Sequence, residues 1–221
     1  MKCDLHVHTS YSFDSTSLPK EMVEAAIKKV IDCLAICDHD VIGGVKETIL
    51  AAQGKPILII PGIEIKTKEG DILGLNVTKV IPKNFSAKET IKRIKEAGGI
   101  AIIPHPFGWF CSFKGDLENL IDNIDGLEVF NSSIFGSGNK KAIALAKKYN
   151  LPFTCGSDAH FPSFVGQCYL EIPGQNLSLE EVLKKIKNRE GKIGGEAANF
   201  FEKIIDHSKR NIAKIFYYLR C

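Results

Sequence analysis

Short apolar runs alternate along the chain with longer stretches in which apolar residues recur every three or four positions. Runs of four to eight apolar residues are typical of strands, and the longer period is typical of amphipathic helices. Several runs are apolar at consecutive positions, as expected of parallel strands buried on both faces. The predicted strands are 3–7, 33–37, 56–65, 72–77, 100–103, 126–130 and 153–155, and the predicted helices are 19–31, 45–52, 87–97, 117–124 and 139–149.

Strands that alternate with helices predict an α/β barrel or a doubly wound sheet. Segment 57–77 is the exception, because a short polar turn at 67–70 joins two strands there. Ser86 and Ser178 each precede a glutamate by three residues, a capping pattern that predicts helix starts, the second helix ending near Asn188. Residues 196–221 indicate one or two further helices, which we expect to pack on the barrel rather than on a second subunit.

Composition narrows the class of protein. The 221 residues are enough for one domain or two small ones, and 44% hydrophobic with 25% charged residues excludes a disordered chain. A net charge of +3 calls for neither a nucleic-acid nor a membrane partner. No apolar run approaches the roughly 20 residues of a membrane helix, and the first residues lack a secretory signal. Seven scattered cysteines without a CxxC pair favour free thiols. We therefore expect a cytoplasmic protein.

Five of the six histidines lie at or just after the ends of predicted strands. Residues two apart on a strand point to one face, so His6 with His8, and Asp158 with His160, can each direct two side chains at one point. Sites in parallel α/β folds form beyond these strand ends. Glu64 lies there too, as a carboxylate that is costly to bury without a cation. The five histidines are His6, His8, His39, His105 and His160.

A single histidine at a strand end is usually a structural residue, and a lone Asp-His pair is often only a turn. Five histidines and several acids at matching positions are better explained by a metal site. Imidazole and carboxylate without thiolate suit zinc, manganese or iron, and the sequence does not choose among them.

These motifs resemble those of the PHP (polymerase and histidinol phosphatase) family, in its stand-alone metal-dependent phosphoesterase type. They are His-Val-His-Thr-Ser-Tyr-Ser-Phe-Asp from residue 6, Cys-Asp-His-Asp from 37, Gly-Ile-Glu-Ile from 62, Pro-His-Pro from 104, Gly-Leu-Glu-Val-Phe-Asn from 126 and Gly-Ser-Asp-Ala-His from 156. The resemblance implies a distorted (β/α)7 TIM-like barrel in a phosphoesterase domain over residues 1–195. Residues 196–221 would be a C-terminal helical extension packed on it.

The resemblance also implies two or three divalent metal ions, Mn, Zn or Fe. His6 and His8 would bind one ion with Asp158, and Glu64 would bridge it to a second ion held by His105. The ligands of a third ion would be Asp14, His39 and His160.

One position departs from the family pattern. Many members carry a histidine shortly after the bridging glutamate, and here the equivalent residue is Asp71. Asp71 either binds the second ion as a carboxylate, which favours a harder cation such as Mn²⁺ over Zn²⁺, or leaves that site weak or empty. We expect it to bind.

Divalent ions held in this way lower the pKa of bound water and clamp phosphoryl oxygens. The hypothesis is hydrolysis of a phosphomonoester of a small metabolite or nucleotide by a metal-activated hydroxide. Asp40 and His160 are the candidate catalytic residues, Asp40 as proton donor to the leaving group. The alternative for Asp40 is that it orients His39 or a neighbouring loop.

Substrate contacts are less specific. Ser132, Ser133 and Lys140 follow a strand and lead into a helix, where hydroxyls, a cation and a helix N-terminus can receive an anion. The aromatic residues Phe107, Trp109 and Phe110 follow His105 and either stack on a substrate ring or fill a loop. The partner we expect is a small phosphorylated substrate. A nuclease or phosphodiesterase is disfavoured by the near-neutral charge, and a non-catalytic scaffold by the number of retained ligands. No oligomeric state is predicted.

Overall fold

The computed structural model describes residues 1–108 and 112–220. Within them, nine strands form one curled sheet in the order β7-β6-β5-β4-β3-β2-β1-β8-β9. The strands are β1 Lys2–Val7, β2 Cys33–Ile36, β3 Leu58–Lys66, β4 Asp71–Leu75, β5 Ile100–Ile103, β6 Gly126–Asn131, β7 Phe153–Gly156, β8 Cys168–Glu171 and β9 Lys192–Gly195; the helices are α1 Pro19–Lys28, α2 Gly43–Ala52, α3 Ala87–Glu96, α4 Gly138–Lys148, α5 Leu179–Lys187 and α6 Phe200–Arg220.

The sheet is a nearly closed barrel, because the segment after β7 returns to β1. Asp158 N donates to His6 O over 2.8 Å, and His8 N donates to Ala159 O over 2.9 Å. β1, β2 and β3 pair in parallel, as do β5, β6 and β7. The β3–β4 hairpin reverses β4, which runs antiparallel to both its neighbours and distorts the barrel. The distorted α/β barrel expected from the sequence is confirmed.

All seven predicted strands are present, and the pattern missed β8 and β9. β8 pairs antiparallel with β1, and β9 pairs antiparallel with β8 at the end of the sheet. Both are four residues long, and β9, with the sequence Lys-Ile-Gly-Gly, is largely exposed. A short strand with two glycines and no buried apolar run carries little of the periodic signal on which strand prediction depends.

The helix predicted at 117–124 is wrong, since the structure has only a single 3₁₀ turn there, Glu118–Leu120. Asp116 caps the start of this turn, its carboxylate accepting from Glu118 N over 3.0 Å and from Asn119 N over 3.4 Å. The residues that follow do not favour extension of the turn into a helix, because Asn119, Asp122 and Asn123 are weak helix formers.

Apolar residues pack in two layers that hold the strand ends in place. One cluster fills the barrel and extends beneath α3, α4 and α5, and the other lies between the sheet and helices α1 and α2. Leu5 and Val7, two positions apart on β1, belong to the first and the second cluster respectively, and the pairing of β1 with β2 is irregular between Asp4 and Val7. The five described cysteines are buried free thiols.

A single helix, α6, forms the C-terminal segment. Asn199 and Glu202 cap its start reciprocally, Asn199 N donating to Glu202 Oε2 over 2.8 Å and Glu202 N to Asn199 Oδ1 over 3.0 Å. Of the helices described, none is long and apolar enough to cross a membrane.

Candidate metal centre

The ends of the barrel strands bring together most of the histidines and acids that the sequence singled out. His6 lies in β1, with His8 just beyond it, and Glu64 lies near the end of β3. The others follow β1, β2, β5 and β7. All are buried except His39, whose side chain is 19% exposed. The residues at this end are His6, His8, Asp14, His39, Glu64, His105, Asp158 and His160.

His6, His8 and Asp158 direct three ligand atoms at one point. The two Nε2 atoms lie 3.0 Å apart, and Asp158 Oδ1 lies 3.8 Å from His6 Nε2 and 3.4 Å from His8 Nε2. Ligand atoms that are each about 2.1 Å from one metal ion lie about 3–3.5 Å from one another. The spacing of these three donors therefore fits a divalent ion.

Glu64 lies between this group and a second one. Its Oε2 is 3.2 Å from His6 Nε2 and 3.3 Å from His8 Nε2, and its Oε1 is 3.1 Å from His105 Nε2. His6, Glu64 and His105 themselves form a group of donors close enough to share an ion. The two carboxylate oxygens thus face different histidines, which is the geometry a bridging ligand needs.

A third group contains His8, His39 and His160. Asp14 joins it, with Oδ1 3.1 Å from His160 Nε2 and Oδ2 3.5 Å from His39 Nε2. His39 Nδ1 also lies 3.2 Å from Glu64 Oε2, so this group is continuous with the others.

Asp71 and Asp40 line the same cavity without belonging to a donor group among the described residues. Asp71 begins β4, paired in register with Lys66. Asp40 Oδ1 accepts from Lys66 N over 2.9 Å, and its Oδ2 lies 3.2 Å from Lys83 Nζ. Because one oxygen of Asp40 is engaged with the end of β3 and the other with Lys83, the geometry favours an orienting role for it over proton donation.

Glu128 on β6 supports two of the histidines. Its Oε1 lies 3.1 Å from His6 Nδ1, and its Oε2 accepts from His105 N over 2.8 Å and from Asn131 Nδ2 over 3.0 Å. A carboxylate behind a ligating imidazole fixes the ring tautomer and raises its basicity. Glu128 therefore presents His6 Nε2 to the centre.

Asp38 performs a similar task around His8 and His39. It accepts from Thr9 N over 2.6 Å and from Ser12 Oγ over 3.1 Å. Ser12 Oγ in turn lies 3.1 Å from His8 Nδ1 and accepts from His39 N over 3.0 Å. This chain of hydrogen bonds connects the loops after β1 and β2.

The histidines differ in their affinity for protons. Burial is the largest influence on the pKa of His6 and lowers it, but Glu128, Glu64 and Asp158 together raise it well above its usual value. Burial also lowers the pKa of His39, and Glu64 and Asp14 outweigh it and raise that pKa to about 9. Cations at the centre would take the place of these protons.

Burial and neighbouring Arg210 lower the pKa of His160 to about 3. Burial raises the pKa of Glu64, yet His39 and His6 hold it well below its usual range. Burial acts similarly on Asp158, whose pKa is nevertheless held low by Arg210 and His6. His160 is therefore neutral and both carboxylates are ionised near neutral pH, the states in which they bind metals.

Three residues at the centre have left-handed backbone conformations. The φ angles are +58° for Asp40, +27° for His105 and +54° for Asp158. Such conformations cost non-glycine residues about 1–3 kcal/mol each and persist where the surroundings fix them, often at functional sites. In His105 and Asp158 the strain aims a side chain into the centre.

Helix α6 closes over the centre and supplies Arg210. The Arg210 Nη2 donates to Asp158 O over 2.7 Å, and Nη1 lies 3.5 Å from both Asp158 Oδ1 and His160 Nε2. Its Nε lies 2.6 Å from Asp206 Oδ2, one turn earlier. Between α6 and the strand ends is a cavity of about 290 Å³.

Two lysines of α6 also line this cavity. Lys203 Nζ donates to the carbonyl of Ile134 and lies 4.8 Å from the ring centroid of Phe135. Lys214 Nζ lies 5.5 Å from the ring centroid of Phe13. With Arg210, they make the wall opposite the metal ligands cationic.

The residues predicted to contact substrate divide into two groups. Ser132 and Ser133 line the cavity, but Ser132 Oγ donates to Ser157 O over 2.7 Å and Ser133 Oγ to Asp158 Oδ2 over 2.9 Å. Lys140 lies exposed on α4 and is not part of the cavity lining.

The aromatic segment after His105 is described only in part. Phe107 is half-buried and packs against the main apolar cluster, which favours the loop-filling interpretation for this residue. Trp109 and Phe110 lie outside the described residues.

Sequence reasoning missed Glu128, Asp38 and Arg210. Glu128 and Asp38 carried a signal, because each is an acid in or directly after an apolar strand, where burial without a partner is costly. Arg210 carried none, since a basic residue in a helix of mixed charge is ordinarily solvated.

Comparison with known proteins is consistent with this geometry. A family model described as PHP-associated matches residues 136–190. The chain is 42% identical over 142 residues to an uncharacterized protein of Methanocaldococcus jannaschii, an alignment that covers 60% of this chain and 82% of the other. It is 38% identical over 105 residues to a 5′-3′ exoribonuclease of Haemophilus influenzae, covering 46% and 38% of the two chains. It is 30% identical over 93 residues to a 3′,5′-nucleoside bisphosphate phosphatase of Chromobacterium violaceum, covering 40% and 32%.

A solved structure shares the fold. It is a two-domain protein of Bacteroides vulgatus that contains a predicted PHP-like metal-dependent phosphoesterase. The TM-score is 0.73 at 21% identity, with 89% of this chain and 65% of that chain covered.

Proposed function

The chain belongs to the PHP family, and we propose that it is a metal-dependent phosphoesterase that hydrolyses a phosphomonoester of a small metabolite or nucleotide. The observation that carries the proposal is a set of converging imidazoles and carboxylates that faces a cationic helix across one cavity. Phosphate ester hydrolysis needs both the ligand set and the cationic helix, since it requires an activated water and positive charge around the phosphoryl oxygens.

The ligand set fits divalent ions by its chemistry and spacing. Imidazole nitrogens and carboxylate oxygens, without thiolates, suit zinc, manganese or iron. His6, His8 and Asp158 would hold one ion, and Glu64 would bridge to a second at His105. The residues proposed for a third are Asp14, His39 and His160, and Asp71 is proposed as a further ligand of the second ion. When bound, such ions supply a water of lowered pKa and charge for the phosphoryl oxygens.

The α6 helix supplies the groups that bind the substrate. Arg210, Lys203 and Lys214 line the cavity opposite the metal ligands. A guanidinium can donate hydrogen bonds to two phosphoryl oxygens at once. Arg210 would bind the reacting phosphate, because it lies beside Asp158. The lysines would receive further anionic groups of the substrate.

The surroundings of His160 and Asp40 argue against either residue as the proton donor to the leaving group. Neutral His160, with its pKa lowered to about 3, is suited to bind a metal rather than to donate a proton. Asp40 is engaged with Lys66 and Lys83 and holds the loop that carries His39. We therefore assign an orienting role to Asp40, in place of the proton donation considered for it from the sequence, and a ligand role to His160.

A nuclease is the second candidate. Two observations favour it: the similarity to a protein named as a 5′-3′ exoribonuclease, and the cationic rim of Lys203 and Lys214, which would suit a polyanion. The same centre would then cut a phosphodiester at the end of a strand.

Phosphate release from metal-loaded protein tests the proposal. The protein is stripped with a chelator, reloaded with Mn²⁺ or Zn²⁺, and assayed on sugar phosphates, nucleotides, nucleoside bisphosphates, histidinol phosphate and a 5′-phosphorylated RNA oligonucleotide. Metal-dependent release from a small monoester, lost in Asp158→Ala and kept in the exposed-site control Asp122→Ala, is the expected result. Shortening of the oligonucleotide alone supports the nuclease. No reaction from protein that holds metal contradicts both.

A further inference from the structure

Helix α6 turns its polar side toward the barrel and its apolar side outward, the reverse of a helix that packs on an apolar core. Its side toward the barrel is polar, with Asp206, Arg210 and Lys214 at the cavity and only Ala213 as a buried apolar residue. Its outer side carries nine large apolar residues with exposed fractions from 45% to 76%. They are Phe200, Phe201, Ile204, Ile205, Ile212, Ile215, Phe216, Tyr218 and Leu219.

This outer face is too large to be an ordinary surface feature. Weighted by exposure, these nine residues present on the order of 1,000 Å² of mostly apolar surface, whereas the largest patch of a typical monomer is about 300–600 Å². A standard protein interface buries about 800 Å² on each partner. The face therefore has the area of a stable interface.

The centre of the face follows the spacing of a coiled-coil seam. Positions 201, 205, 208, 212, 215 and 219 are separated alternately by four and three residues, the repeat that keeps side chains along one line of a helix. Five of the six are Phe, Ile or Leu, and the sixth is Ser208. No position of this seam carries a charge.

The seam is also symmetric about residue 210. Phe201 and Leu219 lie equally far from it, as do Ile205 and Ile215. A two-fold antiparallel pairing of two identical helices requires this symmetry, because each residue meets its mirror position on the partner. Phe201 would face Leu219 of a second copy, and Ile205 would face Ile215.

We propose that α6 pairs with α6 of a second copy of this chain, antiparallel, along the seam 201–219. The charges of the helix argue against a lipid surface as the occupant. Membrane-surface helices carry their lysines and arginines beside the apolar face, toward anionic headgroups. Here Lys203, Arg210 and Lys214 line the chain's own cavity, and Lys209 Nζ lies 5.2 Å from the ring centroid of Phe161, a residue outside α6.

Pairing would have a consequence for the cavity. The barrel holds α6 mainly through polar contacts, such as Arg210 with Asp158 and Lys203 with the carbonyl of Ile134. A partner on the outer face would bury the apolar side and so fix the helix, and its cations, over the metal ligands.

Sedimentation equilibrium of the full-length wild-type protein and four variants tests the pairing and its direction. We expect the wild type to be a dimer and Ile205→Lys or Ile215→Glu alone to be a monomer, because each buries two unpaired charges. The double variant with both changes should be a dimer again, since antiparallel pairing sets each introduced lysine against an introduced glutamate. The control Leu50→Glu lies on α2, at a site whose 53% exposure falls between those of Ile205 (49%) and Ile215 (60%), and this variant should stay dimeric.

Other outcomes overturn the proposal. A monomeric wild type does so, and so do single variants that remain dimers. A monomeric double variant rejects the antiparallel arrangement, because parallel pairing would set lysine against lysine. Cosedimentation of a monomeric wild type with anionic phospholipid vesicles would identify the face as membrane-binding instead. Far-UV circular dichroism confirms that each variant is folded, and rescue by the second substitution excludes misfolding as the cause of dissociation.

Discussion

The role of Glu128 can be tested by the isosteric change Glu128→Gln. The carboxylate makes three contacts, to His6 Nδ1 at 3.1 Å, His105 N at 2.8 Å and Asn131 Nδ2 at 3.0 Å. The last two partners are donors, and a glutamine offers one oxygen and one NH₂ group in place of two accepting oxygens. One of the two sides must therefore lose its acceptor.

Either orientation of the new amide has a defined cost. With its NH₂ toward His105 N and Asn131, two hydrogen bonds become donor–donor contacts, which costs about 1–3 kcal/mol for each buried group left unsatisfied. With its NH₂ toward His6, the ring must accept at Nδ1 and carry its proton on Nε2, the atom that faces the centre. The second orientation costs less in stability and directly weakens metal binding.

We therefore expect metal affinity to fall about 10- to 100-fold, the range for loss of a carboxylate behind a histidine ligand, or about 1.4–2.7 kcal/mol. Competition with a chromogenic chelator measures it, with thermal unfolding as the check on folding. Glu24→Gln, at an exposed site on α1, is the matched control. A folded Glu128→Gln protein that binds metal as tightly as the wild type would refute the reasoning.

Three further predictions concern the charges around the centre. Arg210→Gln should raise KM for the phosphate substrate about 10- to 100-fold, the value of one or two charge-assisted hydrogen bonds, with bound metal unchanged by mass spectrometry; an unaltered KM would remove Arg210 from the substrate site. Asp71→His should shift metal preference from Mn²⁺ toward Zn²⁺, and unchanged metal content and metal-dependent activity would count against ligation. The pKa of His39 is raised to about 9 in the folded protein, so protonated His39 stabilises the fold. This stabilisation is complete below pH 6.5, the pKa of the residue in the unfolded chain, and is lost as the pH rises through 9. The free energy of unfolding of the metal-free protein should thus fall by up to about 3 kcal/mol between pH 6.5 and 9, and urea titrations that show no fall would contradict this.

The positions of seven strands and their ends were predictable because these barrel strands are largely buried on both faces. Residues 100–103 and 126–130 are apolar almost throughout, and the structure has strands there. The polar residues that interrupt such runs stand out, which is why His6, His8 and Glu64 were recognisable. Their proximity then follows from the parallel arrangement, since the carboxyl ends of the strands meet at one end of the barrel.

The rest depends on contacts distant in sequence. Arg210 lies 52 residues from Asp158, and no local pattern connects them. Lys140 seemed suited to an anion because it begins a helix after a strand, yet the direction of α4 leaves it exposed. The sequence also did not predict that the apolar face of α6 is turned outward, because an amphipathic pattern does not indicate which side of a helix meets the barrel.

The number of metal ions held per chain tests the central claim most directly. Metal-free protein is incubated with Mn²⁺, freed of excess ions by desalting, and analysed by mass spectrometry of the metal together with Glu64→Gln and the exposed-site control Glu118→Gln. We expect two or three ions in the wild type and the control, and at least one fewer in folded Glu64→Gln, because that carboxylate lies between two of the three donor groups. A wild-type chain that retains no ion, or a Glu64→Gln chain that retains as many as the wild type, would contradict the assignment of a metal centre to these strand ends.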